Sequence, residues 1–115
     1  MIRQICPFLP LSLTSLLVCQ YSFRRLLALL SALPSLTQLH LIGDSFFGPT
    51  SSADEMSRHS EMSLLFEYPE LGSLLAYLRR SAVTIFTYRG ENEKREIRWT
   101  RLRKGEEFEK DCWTL

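Results

Sequence analysis

The chain has 115 residues, of which 45% are hydrophobic and 23% are charged, and its formal net charge is +1. This length allows one domain or a piece of a longer repeat protein, and the composition excludes a wholly disordered chain. Because a net charge near zero gives no long-range field, we expect neither nucleic acid nor an anionic membrane surface as a partner.

The N-terminal segment carries one basic residue, Arg3, before a mostly apolar run over residues 5–18. This order is that of a secretory signal peptide, but Pro7 and Pro10 interrupt the run and no clear small-residue cleavage site follows. The run is also shorter than the roughly 20 apolar residues of a membrane-spanning helix. We therefore predict a cytoplasmic or nuclear protein without a membrane span, and a signal peptide within residues 1–20 stays an open alternative.

Two stretches of the N-terminal half share one pattern of apolar residues. Residues 36–41 read L-T-Q-L-H-L, which is the L-x-x-L-x-L pattern of a leucine-rich-repeat strand. Residues 13–18 read L-T-S-L-L-V, so Leu13 aligns with Leu36 at an offset of 36 minus 13, or 23 residues. That offset lies inside the window of about 20 to 29 residues for such repeats.

A helix is predicted between these two strands. Its apolar residues recur at helical spacing, at Phe23, Leu26, Leu27, Leu30 and Leu33. Ser22 suits the N-cap, and Pro34 cannot continue the helix. Residues 11–42 therefore predict a strand, a helix and a strand, which make one turn of a solenoid.

The next part of the chain predicts a loop and then a second helix. Gly, Pro and Ser residues crowd residues 43–55, which is typical of a loop, and a short helix is expected over 54–66. Residues 69–74 repeat the P-x-L-x-x-L of residues 34–39, as a degenerate third repeat would. Their helical spacing nevertheless predicts a helix that ends at the basic pair of residues 79 and 80.

The C-terminal part predicts a strand pair and a charged end. Residues 83–88 are β-branched and aromatic, and after a turn Ile97 and Trp99 alternate with polar residues. Residues 91–115 carry seven basic and seven acidic side chains. We expect residues 105–115 to form an amphipathic helix or a flap that caps the solenoid, with Trp99, Phe108 and Trp113 packed inward.

The predicted fold class is therefore α/β. A short leucine-rich-repeat solenoid fragment (strand-helix-strand) is followed by a loop, a helix and a strand pair. Residues 1–90 form a leucine-rich-repeat-like domain, with clear repeats over 10–45 and degenerate ones over 66–90, and 91–115 form the charged cap.

Residues 26–41, L-L-A-L-L-S-A-L-P-S-L-T-Q-L-H-L, resemble the leucine-rich-repeat region of F-box-type proteins. In that family the repeats present substrates to a ubiquitin ligase. Residues 1–10 contain no F-box, so the resemblance implies a C-terminal fragment, or a gene remnant, of such a protein. The function it implies is a non-enzymatic protein-interaction module without a cofactor, with a protein partner of unstated identity.

The repeat pattern also predicts which residues meet a partner. Leu16, Leu39 and Leu41 should be buried, whereas Gln38 and His40 alternate with them and should bind the partner on the exposed face. Two repeats leave an open sheet edge beside an apolar N-terminus. We therefore expect the chain, when it is expressed alone, to self-associate through its N-terminal face or to fold poorly.

Four other patterns predict chemistry less strongly. Residues 41–45, L-I-G-D-S, resemble the first block of GDSL-type esterases, and the alternative function is a small serine esterase with Ser45 as its nucleophile. No Asp three residues before a His completes that machinery, so we predict no enzyme.

His59 near Asp54 could bind a metal, but no second ligand of suitable spacing follows, and we predict no metal site.

The remaining two patterns concern the arginines and the cysteines. The basic run from Arg95 to Lys104 around Trp99 could bind nucleic acid, but glutamates flank it, and a surface with internal salt bridges is favoured.

The three cysteines, at positions 6, 19 and 112, form no close pair. We predict that their thiols are buried and reduced.

Overall fold

A computed structural model describes residues 13–19, 23–43, 47, 53–90 and 93–114. The N-terminal segment, Cys6, the Ser22 cap and the Asp44–Ser45 pair of the esterase hypothesis lie outside these ranges. The elements are β1 (Ser15–Cys19), α1 (Phe23–Ser31), β2 (Gln38–Ile42), α2 (Ala53–Met56), α3 (Glu61–Glu67), α4 (Pro69–Arg80), β3 (Ile85–Arg89), β4 (Arg95–Thr100) and β5 (Glu109–Thr114).

The described strands form one open sheet in the order β1-β2-β3-β4-β5. The pairs β1–β2 and β2–β3 are parallel, and the pairs β3–β4 and β4–β5 are antiparallel. Helices connect the parallel strands, as parallel pairing requires, because such strands cannot be joined by a tight turn. The fold is therefore mixed α/β, as predicted.

The register of β1 against β2 is the one that the sequence predicts. Leu16 lies opposite Leu39 and Val18 lies opposite Leu41, at the offset of 23 residues. Leu16, Leu39 and Leu41 are 2%, 0% and 0% exposed, which confirms that they are buried.

The third parallel strand continues the same rows. Phe86 of β3 lies opposite Leu39, and Tyr88 lies opposite Leu41. On the same face, Trp99 and Ile97 of β4 continue the two rows. These rows and the inward sides of the helices form one core, whose helical members are Leu26, Leu29, Leu30, Met56, Leu64, Leu71, Leu74 and Leu78.

Each parallel strand begins in the same way. The carbonyl of Thr14 accepts hydrogen bonds from the backbone N–H groups of Thr37 (2.8 Å) and Gln38 (3.0 Å). The carbonyl of Thr37 accepts in turn from Thr84 (2.8 Å) and Ile85 (3.2 Å). Because one threonine stands before each strand, the three strand starts are stacked in one line across the sheet.

Both long helices follow their predicted apolar patterns. In α1 the residues Leu26, Leu29 and Leu30 are buried, while Arg24 and Arg25 are exposed. In α4 the first position is Pro69, where the missing N–H costs nothing, and the basic pair lies in the last turn. The prediction that residues 69–80 form a helix rather than a third repeat strand is therefore confirmed.

Arg101 joins α4 to the antiparallel half of the sheet. Its guanidinium donates five hydrogen bonds of 2.9 to 3.0 Å to backbone carbonyls and lies 4.3 Å from the ring of Phe108. The accepting carbonyls belong to Leu78, Arg79, Ser81, Val83 and Glu106. Three of them lie at or just after the C-terminal turn of α4, where carbonyls have no partner within the helix.

The C-terminal end differs from the prediction. Residues 109–114 form the strand β5 on the edge of the same sheet, instead of a helix or a flap. Trp99 is buried and Phe108 packs against the core, as expected, but Trp113 is 47% exposed on the other face. Alternation along a strand places Trp113 and Cys112 on opposite faces, so both cannot pack inward.

The prediction of buried thiols is wrong for the two described cysteines. Cys19 and Cys112 are both exposed, and neither is in a disulfide. Cys19 lies on β1 and Cys112 on β5, which are the two edge strands of the described sheet. A side chain on an edge strand lacks a neighbour on one side, so apolar character does not by itself bury it.

Replacing Leu39 by alanine tests the core. Leu39 is fully buried between β1 and β3, so Leu39→Ala should lower the free energy of unfolding by roughly 2 to 5 kcal/mol. The matched control is Leu17→Ala, because Leu17 is 48% exposed and should lose about 1 kcal/mol or less. Urea denaturation of the two variants measures both values, and equal losses would contradict the register.

Replacing Arg101 by alanine tests the link between α4 and β4. Five carbonyls would lose a charged donor, so Arg101→Ala should cost roughly 3 kcal/mol of unfolding free energy. The control is Arg103→Ala, since the Arg103 side chain is 83% exposed and pairs only at the surface with Glu106. In the same denaturation experiment, Arg103→Ala should change the free energy of unfolding by no more than about 0.5 kcal/mol.

Candidate interaction surface on the open sheet face

The face of the sheet opposite the helices carries the predicted partner-binding residues. The buried side chains of the described helices belong to the core on the other face. Thr87 is buried on this face, and its other members are half-buried or exposed. We call it the open face. Its members are Ser15, Leu17, Cys19, Gln38, His40, Ile42, Ile85, Thr87, Arg89, Glu96, Arg98, Thr100, Glu109, Asp111 and Trp113.

His40 lies in the middle row of the open face. In this row Leu17, His40, Thr87 and Arg98 stand opposite one another on four neighbouring strands, and Asp111 ends it on β5. A flat sheet face brings side chains of one row within contact distance. The row therefore joins residues from both halves of the chain.

The ring of His40 makes two hydrogen bonds within the face. Its Nδ1 lies 2.8 Å from the hydroxyl of Thr87, and its Nε2 lies 3.4 Å from Oε1 of Gln38. When the proton is on Nε2, the ring donates to Gln38 and Nδ1 accepts from the Thr87 hydroxyl. Gln38 and His40 do lie on the open face, but both are half-buried rather than fully exposed.

Burial lowers the pKa of His40 below its ordinary value of 6.5. The Glu96 carboxylate acts to raise that pKa and the Arg98 guanidinium acts to lower it, so the two charges oppose each other and burial prevails. The ring is therefore held in its neutral form near neutral pH. A neutral ring both donates and accepts one hydrogen bond, which fits its two partners.

Arg98 organises the β4–β5 side of the open face. Its Nε donates to Oε1 of Glu96 at 2.7 Å, and the carbon at the centre of its guanidinium lies 4.7 Å from the ring centre of Trp113. The arginine side chain is 37% exposed, and that of Glu96 is 13% exposed. The guanidinium is thus held in place between a carboxylate and an aromatic ring while part of it still faces solvent.

The open face also carries aliphatic side chains. Leu17 is 48% exposed, and Ile42 and Ile85 are half-buried. An arginine and a tryptophan beside exposed aliphatic side chains are the residue types that are enriched in protein interfaces.

The esterase alternative needs a histidine beside Ser45, and the described residues contain His40 and His59. Ser45 lies outside them, so its position carries no argument. His40 is engaged by Thr87 and Gln38, and the Nδ1 of His59 lies 3.0 Å from the hydroxyl of Ser63.

His59 lies at the start of α3, beside the C-terminal edge strand. Its Nε2 is 4.0 Å from Glu55, its ring meets that of Tyr68 edge-on, and its carbonyl accepts a hydrogen bond from Lys110. Across the part of the chain that the structure describes, no three His, Cys, Asp or Glu side chains come together as a metal would require. His59 therefore serves here as a packing and hydrogen-bonding residue.

The structure places several side chains of the basic run, residues 95–104, against partners within the chain. Trp99 is 1% exposed and stacks on Phe86, with 4.8 Å between the ring centres, so it cannot stack on a base. The guanidinium of Arg101 is engaged with backbone carbonyls, and Arg98 and Arg103 each pair with a glutamate.

Sequence reasoning missed three members of this surface. The sequence predicts Thr87 only as part of a strand, Arg98 as part of a charged run and Trp113 as a core residue. One available signal was the pattern of residues 83–88, V-T-I-F-T-Y, which repeats the alternation of residues 36–41. It places Thr87 at the position of His40, on the same face.

Comparison of the chain with protein-family models, with curated protein sequences and with solved structures finds no significant match in any of the three. The helices of the described residues are too short or too polar to cross a lipid bilayer.

Acidification tests the environment of His40. Because its pKa is lowered in the folded chain, the unfolded chain takes up the proton first as the pH falls below about 6.5. The corresponding stability is present above that pH and is lost as the pH falls toward the folded pKa. The melting temperature should therefore fall more between pH 7.5 and pH 5.5 for the wild type than for His40→Gln. Equal falls would show that His40 is not desolvated.

Proposed function

We propose that this chain is a leucine-rich-repeat-like protein-interaction module that binds a protein partner on its open face. In this proposal the chain is a substrate-recognition fragment of an F-box-type protein, acts without a cofactor or a catalytic residue, and works in the cytoplasm or nucleus.

The observation that carries the proposal is the register of β1 against β2. Two copies of one sequence pattern, residues 13–18 and 36–41, pair as parallel strands at their own sequence offset, so each residue faces its counterpart. A repeat architecture requires this correspondence between sequence period and strand stacking. An unrelated pair of parallel strands has no reason to match its register to a sequence repeat.

A third strand strengthens the repeat interpretation. Residues 83–88 align with residues 36–41 at an offset of 47 residues, which is about twice the first offset. Val83, Thr84 and Phe86 take the places of Leu36, Thr37 and Leu39, and the longer connection contains α2, α3 and α4.

The open face has the features of a binding surface. Its centre is fixed by the His40–Thr87 and Arg98–Glu96 hydrogen bonds, so little side-chain entropy is lost when a partner docks. Arg98 and Trp113 are the residue types that most often dominate binding free energy. The role in ubiquitination rests on the resemblance of residues 26–41 to F-box-type repeat regions alone.

Affinity capture with surface variants tests the proposal. The tagged chain is used to capture proteins from cells, and each captured protein is purified and its dissociation constant measured by calorimetry. Trp113→Ala should weaken a partner of the open face by at least about tenfold. The matched control is Phe66→Ala, since Phe66 is an aromatic residue on α3 that is 84% exposed on the helical side. Loss of binding in the control but not in Trp113→Ala would refute the open face as the site.

The ubiquitination role has a separate test. Transcripts that extend upstream of the Met1 codon should encode an F-box in frame with this chain. If partner binding holds but no such transcript exists and the partner is not ubiquitinated, the interaction module stands and the substrate-receptor role is withdrawn.

A further inference from the structure

We propose that a second copy of this chain pairs with the outer edge of β1. The two β1 strands run antiparallel about Leu17 and join two five-stranded sheets into one continuous sheet. The side chains of Ser15, Leu17 and Cys19 belong to the open face that binds a partner in the proposed function, but the pairing uses backbone groups at the edge of the sheet.

The outer edge of β1 carries backbone groups that point away from β2. Because Thr14 accepts its hydrogen bond from Gln38 of β2, its backbone groups and those of Leu16 and Val18 point toward β2. Alternation then directs the N–H and C=O groups of residues 15, 17 and 19 outward. Within the described ranges only β2 pairs with β1, so this edge is a template for another strand.

The two edges of the sheet differ in how they resist such pairing. The sequence of β1, S-L-L-V-C, contains no charged residue and no proline. The sequence of β5, E-K-D-C-W-T, contains three charged residues in six, which disfavours contact between edges. Charge thus directs association to β1, and it disfavours a head-to-tail chain in which β1 of one copy meets β5 of the next.

A second copy fits β1 because the strand is complementary to itself. With Leu17 opposite Leu17 of the other copy, Ser15 faces Cys19 and Leu16 faces Val18. Residues 15, 17 and 19 then form hydrogen-bonded pairs, which gives about six backbone hydrogen bonds across the twofold axis. The arrangement closes at two copies, and each Leu17, now 48% exposed, is covered by its counterpart.

The same pairing keeps the two faces of the sheet continuous. Leu16 and Val18 of both copies lie on the core side, and the three outward-paired residues lie on the open side. A shift of the pairing by one residue would place apolar core residues beside exposed ones. Twofold pairings about Leu16, Leu17 or Val18 all avoid this mismatch, and the one about Leu17 makes the most backbone hydrogen bonds within β1.

Sedimentation velocity over a dilution series, under reducing conditions, tests the proposal with the full chain. The wild type should be a dimer at high concentration and a monomer on dilution. Leu17→Lys brings two like charges together at the axis and should raise the dissociation constant by about tenfold or more. The matched control is Trp113→Lys on the opposite edge strand, because Trp113 is 47% exposed and Leu17 is 48% exposed. This control should leave the dimer intact.

A cross-link tests the register independently of any loss of folding in Leu17→Lys. In a chain carrying Cys6→Ser and Cys112→Ser, the change Ser15→Cys places a thiol opposite Cys19 of the other copy. The Cα atoms of such a pair are about 5.5 Å apart, which is inside the range for a disulfide. Oxidation with diamide should then give a covalent dimer, and adding Cys19→Ser should abolish it.

Three results would overturn the proposal. The first is a wild-type monomer at every concentration. The second is a dimer that survives Leu17→Lys in the folded state or that is lost in Trp113→Lys. The third is the absence of the cross-linked dimer under conditions where the wild type sediments as a dimer.

Discussion

The parallel pairing of β1 with β2 at the offset of 23 residues is the constraint on which the other features depend. Side chains alternate along a strand, so a slip of one residue would turn Leu39 and Leu41 away from the helices and His40 toward them. The threonine carbonyls before the strands fix this register, because Thr14 and then Thr37 each accept two backbone hydrogen bonds from the next strand. With the register fixed, the core rows and the open face follow together.

The antiparallel half extends the same rows by a different means. β3 continues the parallel pattern, and the chain then reverses, so that Trp99 and Ile97 of β4 fall in line with Phe86 and Tyr88. Arg101 holds this reversal to the end of α4 by donating hydrogen bonds to carbonyls of the last helical turn. The alternation that buries Trp99 also turns Arg98 to the opposite face of the sheet. The same alternating pattern therefore forms both the core and the open face.

Local periodicity explains which elements could be predicted. α1, α4, β1 and β2 have apolar residues at the spacing of their own structure, and each was placed within a few residues. The end of the chain had no such pattern. In residues 109–114 charged side chains alternate poorly with apolar ones, and pairing with β4 alone makes them a strand. The exposure of Cys19 and Cys112 has the same origin, because it depends on which strands lie at the edges.

By itself, the sequence determined the face of each repeat strand, since a period of two fixes which residues can be buried together. It thereby determined that Gln38 and His40 share the face opposite Leu39. Only the tertiary structure decided what stands beside His40, because Thr87 is 47 residues away in the chain and Arg98 lies farther still. Strand order is a property of packing between distant segments, and the energy that selects it comes from contacts that no local pattern encodes.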